Sequence, residues 1–144
     1  MKTICKNLIG TTRLLVIVLL ATVATMQSCR TDTGYQKELA AVAQEINKKL
    51  PMNIGTGITW TKTEALPGKI FRYTYTLANQ EVANIDSTAV KKEQTPIVLE
   101  TIKNEPSLKS FRDHNVIMQY YYYDKNGKRA FSINITPEMY KTQK

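Results

Sequence analysis

Histidine and cysteine, the side chains that most often bind zinc or act as nucleophile and base, are scarce in this chain. His114 is the only histidine, and the two cysteines are Cys5 and Cys29. A zinc site needs three or four such ligands, and a Cys-His pair needs both residues in one folded domain. We therefore predict no metal site, no cofactor and no catalytic residue.

Carboxylates are the remaining candidates for acid–base chemistry. Glu93, Glu100 and Glu105 recur along a charged stretch with helical spacing, where they more simply keep the surface hydrated. Asp113 and His114 are adjacent in sequence, and adjacent side chains seldom face each other. An enzyme that relies on carboxylates is thus a minor alternative, and we predict that the protein is not an enzyme.

Residues 1–28 have the pattern of a secretory signal peptide. Lys2, Lys6 and Arg13 are the charges of this stretch, and an apolar run extends from Leu14 to Ala24. That run is shorter than the roughly 20 apolar residues that a membrane-spanning helix needs. Without the signal the chain holds 17 Lys and Arg against 12 Asp and Glu. These charges are interspersed, so we expect no nucleic-acid partner.

The segment that follows, Met26-Gln27-Ser28-Cys29, resembles the lipobox of bacterial lipoprotein precursors, with Gln27 where a small or apolar residue is usual. The resemblance implies that Cys29 becomes an acylated N-terminus, whose several chains would hold the protein on a membrane. Arg30 stands where an Asp would favour the inner membrane, so the resemblance implies the outer membrane, facing the periplasm. An ordinary secretory cleavage and an uncleaved anchor are the alternatives.

The mature chain is predicted to hold a lipidated tether at residues 29–34 and one α+β domain at residues 35–144. Thr33 and Gln36 have capping-box spacing at the start of an amphipathic helix, and an alternating hairpin extends from Ile58 to Leu77. A second helix begins at Asp86 or Ser87, breaks at Pro96 and restarts with Thr95 as its cap. A second hairpin then turns at Asn126-Gly127. This order, helix-hairpin-helix-hairpin, predicts a four-stranded antiparallel sheet with two helices packed on one face.

Parts of the body also resemble small exported α+β proteins to which no activity is assigned. The residues that carry this resemblance are Lys49-Leu50-Pro51-Met52, Leu66-Pro67-Gly68, Phe71, Tyr73, Tyr75-Thr76-Leu77 and Ile133 to Pro137.

Four consecutive tyrosines, Tyr120 to Tyr123, are the most unusual feature of the body. Side chains alternate along a strand, so Tyr121 and Tyr123 are predicted on the sheet face away from the helices. Together with Trp60 they form a candidate binding face for another envelope protein or a glycan. Cross-strand packing is the alternative interpretation.

Asp86-Ser87-Thr88 resembles a bacterial O-glycosylation motif, which makes Ser87 a candidate modification site. The leading hypothesis is a lipid-anchored envelope protein with a non-catalytic binding or assembly role. The alternatives are an immunity or inhibitor protein that covers a toxin or hydrolase, and the carboxylate enzyme already described.

The intact mass of the membrane-extracted protein tests the anchor. We expect the wild type to have the mass of residues 29–144 plus acyl chains. The Cys29→Ala variant should lack the acyl chains, because the cysteine sulfur that carries them is gone. A mass without acyl chains in the wild type, or one that includes residues 1–28, would contradict the prediction.

Overall fold

The computed structural model of the protein describes residues 30–141. The predicted signal peptide and Cys29 lie outside the described residues. Within these limits the chain forms five strands: β1 (Met52–Gly55), β2 (Ile58–Leu66), β3 (Ile70–Leu77), β4 (Ile117–Asp124) and β5 (Arg129–Ile135). It also forms four helices, α1 (Arg30–Asn47), α2 (Ser87–Asn104), α3 (Lys109–Asp113) and α4 (Pro137–Lys141), and two 3-10 turns at Val82–Asn84 and Pro106–Leu108.

The strands form one sheet in the order β1-β2-β3-β4-β5. Neighbouring strands are antiparallel except β3 and β4, which are parallel. The α+β class and the two hairpins are confirmed, but the predicted four-stranded antiparallel sheet is wrong. The parallel pair arises because α2 carries the chain back across the sheet before β4 begins. Strand β1 was not predicted because all of its residues are exposed, so it lacks the alternation that marks a strand.

One face of the sheet carries the hydrophobic core. Alternate residues of β3 and β5 are buried, as their sequences predict. All four helices, rather than the two predicted, contribute to this core, through Tyr35, Leu39 and Ala43 of α1, Ile102 of α2, Phe111 of α3 and Tyr140 of α4. The opposite side is the open face, which presents Lys62 and Glu64 of β2, Arg72, Thr74 and Thr76 of β3, Gln119, Tyr121 and Tyr123 of β4, and Arg129 of β5.

Helix α1 is tied to the turn between β2 and β3 by Gln36. Its Nε2 donates to the carbonyl oxygen of Leu66 at 3.0 Å, and its Oε1 accepts the N–H of Lys69 at 3.2 Å. The predicted capping box is therefore wrong, because Gln36 bonds a different element and α1 has already begun at Arg30. The residues predicted as a polar tether are helical from Arg30 onward.

The side chain of Asn47, the last residue of α1, makes the hydrogen bonds to the Thr63 backbone that a neighbouring strand would otherwise make. Strand β1 pairs with β2 only at Ile58–Trp60 and so does not reach Thr63. Instead, Asn47 Nδ2 donates to the carbonyl oxygen of Thr63 and Asn47 Oδ1 accepts its N–H, both at 2.8 Å. Because Thr63 is only 2% exposed, its backbone groups would otherwise be buried without partners.

Helix α2 begins as predicted and then continues through its proline. Asp86 Oδ1 accepts the N–H groups of Thr88 and Ala89, each at 3.0 Å, and so caps the helix. The predicted break at Pro96 is wrong, since one helix spans Ser87–Asn104. Its packing on β5 and α4, with Ile102 buried, outweighs the cost of an interior proline, about 3 kcal/mol.

The β4–β5 hairpin turns at Asn-Gly as predicted, with Gly127 at a φ of 75°. Asp124 organises the turn: its Oδ1 accepts the N–H groups of Asn126 and Lys128, and its Oδ2 accepts the N–H of Val82. Burial alone would raise the pKa of the Asp124 carboxyl, but the three donors outweigh it and hold the pKa below its ordinary value.

Asn47→Ala should destabilise the fold because it leaves two buried backbone groups of Thr63 without partners. We expect the free energy of unfolding to fall by about 1–3 kcal/mol, measured by urea unfolding of the full chain. Gln44→Ala, an exposed change in the same helix, is the control and should stay within about 0.5 kcal/mol of wild type. Equal effects of the two changes would show that the Asn47 bonds do not contribute to stability.

Candidate binding surfaces on the two faces of the sheet

Tyr121 and Tyr123 lie on the open face as predicted, paired with Thr74 and Thr76 of β3. Trp60 does not join them, because it pairs with Tyr75 on the helix-covered face. The separation is caused by a β-bulge between Trp60 and Lys62, which shifts the register by one residue. Without that bulge, regular alternation would have placed Trp60 on the same face as Lys62 and Glu64. The structure therefore separates the predicted binding face into two surfaces.

On the helix-covered face, Trp60 belongs to a row of aromatic side chains that crosses four strands. The rings of Tyr73 and Tyr120 stack with centroids 5.0 Å apart, and those of Tyr75 and Tyr122 do the same at 5.0 Å. Trp60 lies 5.6 Å from Tyr73 at one end of the row, and Phe131 lies 4.4 Å from Tyr122 at the other. These six side chains, Trp60, Tyr73, Tyr75, Tyr120, Tyr122 and Phe131, are the aromatic row.

The phenols of the aromatic row are held in their neutral form. Burial, reinforced by neighbouring phenols, raises the pKa of Tyr73, Tyr75 and Tyr120 well above the ordinary value of 10.0. Burial also raises the pKa of Tyr122. At neutral pH the row is therefore uncharged, and it offers apolar ring surface with hydroxyl groups at its edge.

A cavity of about 360 Å³ opens beside the aromatic row, under the first half of α2. Its floor is apolar and comes from four different strands, with Ile58, Leu77, Tyr122 and Phe131 in contact with the space. Its wall is formed by Asp86, the N-cap of α2, and by Val90 and Gln94 of that helix, and its rim by Gln80, Asn84 and Ile85. A second cavity of about 310 Å³ lies on the other side of the row, between the end of α1 and Trp60.

The open face holds a different kind of site, built around Tyr121. The guanidinium carbon of Arg72 lies 4.3 Å from the centre of the Tyr121 ring, and that of Arg129 lies 5.6 Å from it. Arg72 Nε also donates to Gln119 Oε1 at 3.0 Å. Sequence reasoning missed both arginines, because only the parallel pairing of β3 with β4 brings Arg72 beside Tyr121. We call these four residues the arginine–tyrosine cluster.

His114 and the carboxylates named in the sequence analysis do not form a shared site. The His114 ring stacks on Tyr35 at 3.7 Å, with its Nδ1 2.9 Å from the carbonyl oxygen of Ser110. The Asp113 carboxylate pairs with Lys109 instead, and Glu105 bonds Ser107. Among residues 30–141, no three His, Cys, Asp or Glu side chains are grouped closely enough to hold a metal ion.

Ser87, the predicted modification site, is the first residue of α2 and is half-buried. Its glycosylation stays a prediction. No helix within residues 30–141 is both long and apolar enough to cross a membrane.

The family model "Domain of unknown function (DUF8479)" matches residues 33–131. The chain belongs to the DUF8479 family. That match takes in β1 to β4 and the aromatic row. Sequence comparison of this DUF8479 chain with curated proteins gives no match.

Three solved structures share the fold of this DUF8479 domain at low sequence identity. A Pseudomonas aeruginosa protein described as secreted has a TM-score of 0.67 and 12% identity, covering 79% of this chain and 99% of that one. The pilotin EpsS of the Vibrio vulnificus type 2 secretion system has a TM-score of 0.60 and 9% identity, covering 78% and 96%. The type II secretion pilotin AspS of Vibrio cholerae has a TM-score of 0.57 and 12% identity, covering 75% and 94%.

The aromatic row makes stability sensitive to alkaline pH. Since the folded state favours neutral phenols, their stabilising contribution is complete below the unfolded pKa of about 10 and is lost as the pH rises through the raised values. Tyr120→Phe removes one such ionisation. Relative to wild type, this variant should gain about 1 kcal/mol of unfolding free energy between pH 7 and pH 11, measured by urea unfolding. The same difference at both pH values would contradict the prediction.

Proposed function

We propose that this protein is a non-catalytic assembly protein of the bacterial cell envelope, which binds an apolar segment of another envelope protein in the cavity under α2. The observation that carries the proposal is the floor of that cavity. Ile58 and Tyr122 are half-buried and Leu77 and Phe131 are buried, and together they give the cavity an apolar floor at the edge of the core. A cavity with an apolar floor is typical of binding sites.

The chemistry of the rim favours a polypeptide as the occupant. Gln80 and Asn84 of the rim and Gln94 of the wall surround the apolar floor with amide groups, which donate and accept hydrogen bonds equally well. A peptide backbone also offers both kinds of group, whereas its apolar side chains would enter the cavity. An apolar centre surrounded by a polar rim is the usual anatomy of a protein–protein interface.

The comparisons support an assembly role. Two of the solved structures with this fold are pilotins of type II secretion systems, and a third is a protein described as secreted. The proposal extends this envelope setting to the present chain. It also includes lipidation at Cys29 and a position on the outer membrane facing the periplasm, both as the lipobox resemblance implies.

An enzyme is the weaker hypothesis because the larger cavity has one carboxylate in its lining, that of Asp86. This carboxylate already accepts two backbone N–H groups as the cap of α2. Paired carboxylates for acid–base catalysis would need a second acid beside the first. The immunity or inhibitor hypothesis, which placed the binding surface around Trp60, Tyr121 and Tyr123, stays a prediction.

Filling the cavity should abolish binding without unfolding the domain. Val90 faces the cavity from α2, whereas its neighbour Ala89 is exposed and lies outside the lining. We expect Val90→Trp in the full chain to reduce the fluorescence of a bound hydrophobic dye, 1-anilinonaphthalene-8-sulfonate, by at least about half, because the indole takes the space of the probe. Ala89→Trp, a matched change on the same turn, should leave the dye signal unchanged.

Photo-crosslinking in the native bacterium then tests the role of the cavity. A photoreactive phenylalanine at position 90 or position 122, on opposite walls of the cavity, should label the same envelope protein. The same group at position 89 should not label that protein, and Val90→Trp should suppress the crosslink from position 122. Different proteins labelled from the two walls, or a crosslink that survives Val90→Trp, would overturn the proposal.

A further inference from the structure

We propose that the arginine–tyrosine cluster of the open face binds an acidic segment of a partner protein, through carboxylates that pair with Arg72 and Arg129. This site lies on the opposite side of the sheet from the cavity under α2. It therefore does not depend on the function proposed for that cavity.

The guanidinium group of Arg72 is held in place before any ligand arrives. Its guanidinium carbon lies 4.3 Å from the centre of the Tyr121 ring, and its Nε donates to Gln119. Its two terminal nitrogens make no hydrogen bond or ion pair with other residues of the described chain, 30–141. A fixed guanidinium presents paired donors that match the two oxygens of a carboxylate. Because its side chain is already ordered, binding costs less conformational entropy.

The charge of the open face is not balanced from within. Glu64 is the cross-strand neighbour of Arg72, but its carboxylate binds Lys62 Nζ at 2.8 Å. Arg129 is exposed on β5, the strand that flanks β4 on the side opposite β3. Its guanidinium carbon lies 5.6 Å from the centre of the same Tyr121 ring. Among residues 30–141, Arg72 and Arg129 thus approach one ring without an ion pair to Asp or Glu, which is the charge pattern that a pair of carboxylates complements.

The number of charges and the use of the ring favour an acidic peptide over other anionic partners. Protein surfaces that recruit anionic membranes carry clusters of about 4–8 Lys and Arg, and this cluster has two. A sugar would stack on the face of an aromatic ring, but Arg72 occupies one face of the Tyr121 ring and Arg129 approaches the same ring. A segment with two or more Asp or Glu residues needs neither feature, since each carboxylate can pair directly with one guanidinium.

The test measures binding of a fluorescently labelled hexaglutamate peptide to the detergent-solubilised full chain at low salt, by anisotropy. Hexaglutamine is the uncharged control peptide. We expect hexaglutamate to bind, hexaglutamine not to bind, and Arg129→Gln to weaken the affinity about tenfold. Lys91→Gln removes an equal charge from an exposed position on α2 and should leave the affinity near that of wild type.

Substitutions of Tyr121 separate a specific site from general attraction, because they leave the net charge unchanged. Tyr121→Leu removes the ring that both guanidinium groups approach and should weaken hexaglutamate binding, whereas Tyr121→Phe keeps the ring and should preserve it.

Equal losses from Lys91→Gln and Arg129→Gln would overturn the proposal, as would the absence of hexaglutamate binding. Tighter binding to phosphatidylglycerol vesicles than to hexaglutamate, lost in Arg129→Gln, would assign the cluster to a membrane instead. Val90→Trp should leave hexaglutamate binding intact, so the two proposals can fail separately.

Discussion

The parallel pairing of β3 with β4 determines what each face of this domain can do. In that register Tyr73 lies beside Tyr120 and Tyr75 beside Tyr122, and their rings stack under the helices. The residues between them point the other way, where Arg72 meets Gln119 and Tyr121. A shift of β4 by one residue would turn Tyr120 and Tyr122 to the open face and Tyr121 toward the helices. Both candidate binding surfaces therefore depend on one strand register.

The two ends of the helix-covered face are packed differently, which explains where the cavity lies. At the end near Phe71, α3 places Phe111 against the sheet, with ring centroids 4.8 Å apart. There Arg112 also donates to the carbonyl oxygens of Ile102 and Glu105, closing the end of α2. At the other end, Ile58, Leu77 and Tyr122 line the cavity under the first turns of α2 and the segment that precedes them. The cavity is thus the part of the core surface that the short helices leave uncovered.

Local patterns in the sequence predicted most of the helices and strands. They did not predict which segments pair when those segments lie far apart in the chain. Alternation correctly assigned the faces of β3 and placed Tyr121 and Tyr123 away from the core, because it depends only on neighbouring residues. The Asn126-Gly127 turn and the Asp86 cap were likewise local signals. The parallel pairing, the contacts of Gln36 and the position of Arg72 beside Tyr121 depend on residues far apart in the chain. Trp60 was misplaced because one bulge reverses the alternation that every such prediction assumes.

Pro96 gives α2 two mechanically distinct halves. Proline has no N–H, so the carbonyl of Lys92 lacks its usual donor within the helix. The half that follows is fixed by the buried side chain of Ile102, while the half that precedes it forms the roof of the cavity through Val90 and Gln94. Because helices bend most readily at proline, we expect any change in the width of the cavity to come from the half before Pro96, while the anchored half stays in place. For the partner that we propose, side chains of different size would then meet the same floor.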